Sequence, residues 1–481
     1  MSAILSSSPS GGLRYGRGVV ARAVAVAGSL GVSLSLGLGL LSGAQQAHAA
    51  GFLNSDQSPT AVGLAGAVVA RPDDASAIFY NPAGLGYQAG LSVLAGATLI
   101  NLKQNVTDPS GASFDSKGGN FVAPNLFVAA RVTDRISLGV GVFANHANNA
   151  DWQNPDDTRD FPGRYKALKV SLQGITINPT IAVRPIPELS FGAGIDLEIG
   201  QLELIRALAL GGADARIALA GNTVGVGGNI GVLARLLDGR LNFGLAFRSA
   251  LNLHFQDMQL GASAPPGVSF TFPYTKASTD VGAPHIVSLG VAGKPIQFLT
   301  ISADFISTIW SDTRSQTLTL SDDQGNQQSS ISQRNWRDTY SGRFGLEGDL
   351  GTVLKPGSKL WPKIRLGFGY DPSPIPAQTI DTSSPDSDRF LVSAGLSLGY
   401  RGIGSIELGY TAQIFRGRTS ENPDLPLSYS SMINTFSAAI NLQLERLLGK
   451  RSAAFAGRQL EPTPPEPVAA PDSAATSDPN S

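Results

Sequence analysis

The chain has 481 residues, a formal net charge of −1 and no cysteine. It therefore has no basic excess for binding nucleic acid, and it can form neither a disulfide framework nor a thiolate metal site. With 56 glycines and 42% hydrophobic residues, it is too polar for a bundle of membrane-spanning helices. The length allows two or three ordinary domains or one large barrel.

The first 49 residues have the pattern of a secretory signal peptide. Arg14, Arg17 and Arg22 precede an apolar run over residues 23–41, and an Ala-His-Ala site ends at Ala49. A positive flank, an apolar core and a small-residue site predict export and cleavage after Ala49. A retained membrane anchor is the alternative, because the run is long enough to span a bilayer.

The next distinctive stretch is residues 73–85, which read DDASAIFYNPAGL and precede the first alternating strand. Pro82 fixes its own φ and pushes Asn81 toward extended geometry, so Asn81, Pro82 and Ala83 are predicted to form a rigid corner. The four residues NPAG alone also fit an ordinary surface turn. In the context of an exported barrel, we interpret residues 50–88 as a hatch that folds back and plugs the lumen.

From Leu91 onward, apolar residues alternate with small or polar residues. Over residues 189–200 the odd positions are Leu, Phe, Ala, Ile, Leu and Ile, and the even positions are Ser, Gly, Gly, Asp, Glu and Gly. Successive side chains of a strand point to opposite faces, so such a segment is apolar on one side only. After the signal peptide no apolar run reaches the length of a spanning helix, so a membrane protein of this kind would cross as strands. A soluble β-sandwich would show the same alternation.

Spacing favours the membrane barrel. About 14 alternating segments can be marked between residues 89 and 445, and most of their connections alternate between short and long, as in outer-membrane barrels. The sequence therefore predicts an all-β fold: a transmembrane antiparallel β-barrel of about 14 strands over residues 89–445, with the N-terminal hatch inside its lumen.

Two stretches depart from this pattern. Residues 205–222 carry apolar residues at loosely helical spacing, which is compatible with a short amphipathic helix beside the barrel mouth. Residues 446–481 are rich in Pro, Ala, Ser and Asp and are predicted to be a disordered tail.

Several of these stretches resemble the FadL-type (OmpP1/FadL/TodX) family of outer-membrane transporters for long-chain fatty acids and other hydrophobic compounds. They follow one another in the family's order from residue 50 to about residue 444, and the family's barrel has fourteen strands. The matching stretches are AGF at 50–52, DDA at 73–75, NPA at 81–83, FPGRY at 161–165, INPT at 177–180, YDPSPIP at 370–376 and PDSDRF at 385–390.

The resemblance implies passive transport across the outer membrane of a Gram-negative bacterium. A ligand would move from an apolar groove among the outer loops to a tighter site in the barrel, and then sideways into lipid through a break in the third strand. In this chain the break is expected within residues 145–149. Asn145, His146 and Ala147 are therefore predicted gate residues, together with Asn81, Pro82 and Ala83 of the hatch. Ala147 stands where family members often have glycine.

A fatty acid carboxylate needs a cation or a hydrogen-bond donor, because a buried charge must be paired. Arg206 matches a family position associated with the acyl headgroup, and Arg389 is a second candidate. For Arg206 the alternative is a solvated loop charge.

The expected partners are a long-chain fatty acid or another hydrophobic small molecule and outer-membrane lipid, and the barrel is expected to be a monomer without cofactor, metal or nucleic acid. An aromatic hydrocarbon channel of the same family is the first alternative, and a general porin is another. A lipid esterase is a third, but no serine lies near His146, His254 or His285 in a recognised catalytic arrangement. The chain is thus not expected to be an enzyme.

Overall fold

The computed structural model describes residues 53–153, 160–354 and 358–444. The predicted signal peptide, the first residues of the hatch (50–52) and the predicted tail lie outside the described residues. Two short helices, α1 and α2, and three 3₁₀ helices are present in the described part: Pro59–Gly63 (α1), Ala77–Tyr80 (α2), Pro82–Tyr87, Pro162–Tyr165 and Leu350–Thr352.

All described strands, β1 to β20, belong to one antiparallel sheet. Their bounds in chain order are Leu91–Thr107, Ser113–Asp115, Gly119–Arg131, Ile136–Asp151, Lys169–Ile186, Leu189–Ala209, Asp214–Leu236, Leu241–Arg248, Leu251–Ser263, Lys276–Ala283, His285–Ile296, Leu299–Ile309, Ser315–Ser321, Gln327–Gln333, Thr339–Asp349, Leu360–Asp371, Arg389–Tyr400, Gly404–Phe415, Arg418–Thr419 and Ser428–Leu444.

The sheet closes on itself because its first strand pairs with its last. The β1–β20 ladder runs without interruption from Leu91↔Leu444 to Thr107↔Ser428. Several crossing strands are built from two consecutive pieces, such as β8 with β9 and β10 with β11, so that fourteen strands form the closed barrel. The predicted all-β barrel and its strand number are confirmed.

The two faces of each crossing strand differ as the alternation predicts. On β6, the side chains of Ile195 and Ile199 are 55% and 48% exposed, whereas those of Asp196 and Glu198 are buried. A closed sheet satisfies its own backbone, so the apolar outer face can contact lipid while the polar face lines the lumen. Among the described residues, no helix has the length and hydropathy needed to cross a bilayer.

The helix considered for residues 205–222 is wrong. There β6 and β7 continue as a hairpin, which turns at Leu210–Ala213 with Gly211 at φ +74°. Ile205 and Ile217 lie on opposite faces of this hairpin and both are buried. Because apolar residues are needed on both faces, the strict alternation is lost, and periodicity alone does not separate such a strand from a helix.

The outer ends of the strands surround a large apolar cluster, which we call the outer cluster. Its centre includes Trp152, Phe161, Trp310 and Trp336, and the last two rings are 4.8 Å apart. Two hairpins, β9–β10 and β13–β14, also lie at this end. The outer mouth therefore has a packed core of its own.

Residues 53–88 occupy the lumen, and we call them the luminal segment. Their backbone is bonded to inward-facing side chains on widely separated strands: Asp304 accepts from the Val69 N–H (2.8 Å), and Thr411 donates to the Val62 carbonyl (2.8 Å). Because its partners come from strands around the barrel, the segment lies across the interior.

The middle of the luminal segment is also held by buried ion pairs. Arg71 Nη2 lies 2.8 Å from Glu347 Oε1 on β15. Arg365 on β16 contacts the same carboxylate at 2.7 Å and Glu407 on β18 at 2.6 Å. All four side chains are at most 4% exposed. We call this group the ion-pair cluster; it lies toward the short turns of the barrel.

Candidate functional site

The predicted corner at Asn81 joins two parts of the luminal segment to the barrel wall. Asn81 has the extended backbone expected before proline, with φ −157° and ψ 100°. Its Nδ2 donates to the carbonyls of Val69 (2.9 Å) and Val232 (3.1 Å), and its Oδ1 accepts from the Ala83 N–H (3.2 Å). The Ser190 hydroxyl donates to the Ala83 carbonyl at 2.7 Å. The corner therefore anchors the segment to β6 and β7.

We expect Asn81→Ala to lower the free energy of unfolding by about 1–3 kcal/mol, because it removes one buried and one partly buried hydrogen bond to carbonyls. Guanidinium titration of the barrel in lipid vesicles measures the difference. Asn101→Ala is the matched control, since the Asn101 amide donates to Asn120 Oδ1 at an exposed position. Equal losses in the two variants would contradict an anchoring role for Asn81.

The wall has a gap where the third crossing strand, β4, leaves β3. The β3–β4 ladder ends at Asn125↔Phe143, while β4 stays paired with β5 as far as Asp151↔Lys169. The register with β5 shifts at Asn145, within the stretch where the break was expected. A bond from the Lys117 N–H to the Asp151 carbonyl (2.8 Å) closes the far end. The interruption of the β3–β4 ladder between residues 119–124 and 144–150, which we call the wall gap, is roughly 20 Å long. Buried apolar side chains from both of its edges, including Phe121 and Ala147, belong to one cluster.

The start of the luminal segment is bonded to the strand that bends. The Asn54 N–H donates to the Asn145 carbonyl at 2.9 Å, and Gln57 Nε2 donates to the Ala144 carbonyl at 2.6 Å. Ala147 is fully buried behind them and pairs with β5. These contacts are between neutral groups, and they cover the wall gap from inside.

A cavity that is partly open to solvent lies between the luminal segment and the wall. Pro82 of the corner and Asn145 of the bend both line it. It thus connects the two sets of predicted gate residues. Much of its apolar surface comes from Val69, Phe79, Phe247, Ile286, Ile306 and Trp310.

Two arginines of this cavity share one carboxylate. Arg389 Nη2 lies 3.1 Å from Asp371 Oδ2, and Arg343 Nη1 lies 2.5 Å from Asp371 Oδ1. The three side chains are at most 7% exposed. Two guanidinium groups against one carboxylate leave a local positive charge, which suits the binding of an anion.

Asp56 of the luminal segment lies near these arginines. Its Oδ2 accepts from Thr435 Oγ1 at 3.1 Å and from Gln413 Nε2 at 3.3 Å. Burial raises the pKa of Asp56, and the hydrogen bond from Thr435 and the charge of Arg389 oppose that rise. A carboxyl group whose ionised form is disfavoured competes poorly with a ligand carboxylate for Arg389.

The structure does not bring the two predicted arginines together. Arg206 lies near the outer end of β6, half-buried and opposite Ile217. Leu204 and Leu208 follow the same side of the strand and pack against the outer cluster. Among the described residues, none forms a hydrogen bond or an ion pair with the guanidinium of Arg206. It is thus a separate cation beside an apolar surface.

Arg343, Asp371 and Arg248 also line the cavity but were not among the site residues predicted from the sequence. Arg248 forms an ion pair with Asp196, and its guanidinium lies 4.7 Å from the centre of the Phe79 ring. A signal was present, since each is a charged residue in an alternating strand. In a lipid-facing barrel, such residues belong on the luminal face.

The sequence is similar to outer membrane transport proteins of one family. A family model described as "Outer membrane protein transport protein (OMPP1/FadL/TodX)" matches residues 40–440. The chain is 27% identical over 420 residues to the long-chain fatty acid transport protein of Escherichia coli O6:H1, covering 78% of this chain and 89% of the relative. It is 27% identical over 192 residues to outer membrane protein P1 of Haemophilus influenzae, covering 36% and 40% of the two chains.

Solved structures share the fold. The crystal structure of a Pseudomonas aeruginosa FadL homologue has a TM-score of 0.68 at 18% identity, covering 82% of this chain and 100% of that chain. The Pseudomonas putida toluene transporter TodX has a TM-score of 0.61 at 17% identity, covering 82% and 98%.

Proposed function

Because the chain belongs to the OMPP1/FadL/TodX family of outer membrane transport proteins, we propose that it carries long-chain fatty acids across the outer membrane by passive diffusion. Residues 50–88 act as its hatch, and the wall gap is the exit into lipid. The barrel closes within one chain, which supports transport by a monomer.

The observation that carries this proposal is the cavity around Arg343, Asp371 and Arg389. Its apolar lining suits an acyl chain, and its surplus positive charge suits a carboxylate. Curated relatives similar over most of their length are named long-chain fatty acid transport proteins, which favours the same cargo here.

The acyl chain of such a cargo has a lower free energy on an apolar route than in an aqueous pore. Each methylene removed from water contributes about 0.8 kcal/mol, so an acyl chain gains by staying in contact with apolar groups throughout. Arg206 beside the outer cluster is the proposed first contact, and the cavity is the second. Displacing Asn54 and Gln57 from β4 would then uncover the wall gap.

We expect Arg206→Ala to weaken oleate binding about tenfold, since one charged hydrogen bond is lost, and to leave dodecane binding unchanged. Calorimetry with the detergent-solubilised barrel measures both affinities. Arg216→Ala, which removes an exposed arginine from the same hairpin, is the control. If oleate binds Arg206→Ala as tightly as the parent, Arg206 is not part of the outer site.

An aromatic hydrocarbon is the second candidate cargo. Phe79, Phe247 and Trp310 line the cavity, and one structurally similar protein is titled a toluene transporter. An uncharged ring can gain only cation–π contacts from Arg343 and Arg389, whereas a carboxylate can accept charge-assisted hydrogen bonds from them.

Uptake of labelled oleate and labelled toluene, in cells that lack their own carriers and express this chain, decides between the two cargoes. Oleate uptake that depends on the chain supports the proposal. Toluene uptake without oleate uptake would overturn it.

A further inference from the structure

Glu198 holds the bend of β4 although it belongs to β6. Its side chain is fully buried on the luminal face. Its Oε1 lies 2.6 Å from His146 Nδ1, and its Oε2 accepts from Asn145 Nδ2 at 3.3 Å and from Thr176 Oγ1 at 3.0 Å. Two of its three partners are the residues at which β4 departs from its regular ladder.

The carboxylate reaches these partners by crossing the strand between them. Gly174 of β5 is paired with His146 on one side and with Gly200 of β6 on the other. A Cβ atom at Gly174 would overlap Glu198 Oε1. The absence of a side chain at Gly174 is therefore what lets Glu198 lie over β5 and reach β4.

The contacts of Glu198 oppose closure of the wall gap. If the β3–β4 ladder continued in its register, Ala123 would lie opposite Asn145, and Val122 opposite His146. A continued regular ladder would remove the irregularity at Asn145 and turn His146 toward the outer face, away from Glu198. A buried carboxylate that loses such partners is strongly destabilised, so its contacts favour the inward course of β4.

We propose that Glu198 is a positioning residue for lateral exit: lying over Gly174, it draws Asn145 and His146 into the lumen and keeps the wall gap open. This inference rests on the proposed function, because the gap matters only if cargo leaves through it. Glu198 does not line the cavity described above, so it acts on the exit rather than on binding.

Spin labels test this in a chain that has no native cysteine. Labels at Asn120→Cys on β3 and Gln173→Cys on β5 report the width of the wall gap. Glu198→Ala is expected to shorten the distance between the labels toward two strand spacings, roughly 10 Å between the backbones. It is also expected to slow oleate uptake severalfold while oleate affinity stays unchanged.

The control is Glu203→Ala, which removes an acidic residue of the same strand whose carboxylate forms an ion pair with Lys169 of β5 at 2.7 Å. It is expected to change neither distance nor uptake. An unchanged distance and full uptake in Glu198→Ala would overturn the inference. Absence of oleate uptake by the parent chain would instead overturn the proposed function.

Gly174→Ala provides a second test, since it displaces the carboxylate without removing it and so covers the case in which Glu198→Ala does not fold. It is expected to shorten the distance between the two labels in the parent chain. In a chain that already carries Glu198→Ala, it is expected to cause no further shortening. Gly342→Ala, where an added methyl meets no neighbouring atom, is the control. Gly174→Ala that leaves distance and uptake at parental values would contradict the inference.

Discussion

Removing residues 50–88 is expected to convert a barrel with very low ion conductance into a conducting one. Barrels of eight strands are filled by their own side chains, whereas those of sixteen contain an aqueous channel. With fourteen strands, this lumen is wide enough for the luminal segment and would fill with water without it. Single-channel conductance in planar bilayers should rise at least about tenfold, toward values typical of porins.

Shortening the β13–β14 hairpin is the matched control for this deletion. That hairpin lies at the outer end and, like the luminal segment, can be removed without cutting the ladder between β1 and β20. It is expected to leave the conductance low. If the deletion of residues 50–88 also leaves it low, the luminal segment is not the plug, and the outer loops must close the pore.

Arg389→Ala is expected to weaken oleate binding by about tenfold to a hundredfold, the range given by hydrogen bonds to a charged group. Asp371 keeps Arg343 at 2.5 Å, so the buried carboxylate stays paired and the barrel should still fold. The loss then reflects the local charge, which falls from a surplus to neutrality. Calorimetry with oleate and with toluene measures the effect, and toluene affinity should not change.

Arg416→Ala is the control for Arg389→Ala, because Arg416 is exposed just beyond β18. It should bind oleate as the parent does. If Arg389→Ala binds oleate with parental affinity, the carboxylate is held elsewhere, and Arg206 becomes the remaining candidate among the two arginines singled out in the sequence.

The barrel was predictable because its signal is local and repeated. Lipid on one side and a polar lumen on the other impose a period of two on every crossing strand, and residues 189–200 show it without interruption. The signal failed at residues 205–222, where the outer cluster requires apolar residues on both faces of the hairpin. A run that is apolar on successive residues no longer distinguishes a strand from a helix.

The grouping of the site residues was not predictable from the same pattern. Arg343, Asp371 and Arg389 come from three successive crossing strands, and their contacts depend on register. A tight turn fixes register, but a long loop separates Asp371 from Arg389. The wall gap is even harder to predict from the sequence, because it arises where pairing between β3 and β4 stops. The only local signal in β4 is a run of amide and small residues at 144–150, which permits a bend.

Two parts of the luminal segment are held to the barrel by different kinds of interaction. Charged contacts among Arg71, Glu347 and Arg365 secure the middle of the segment, toward the short turns, whereas neutral hydrogen bonds hold Asn54 and Gln57 at its start. A cargo that displaces only the hydrogen bonds of Asn54 and Gln57 would leave through the wall gap, while the ion-pair cluster keeps the lumen closed near the short turns. Under the proposed function, no continuous aqueous path then connects the external medium with the periplasm. The bacterium can therefore import hydrophobic nutrients without admitting hydrophilic antibiotics.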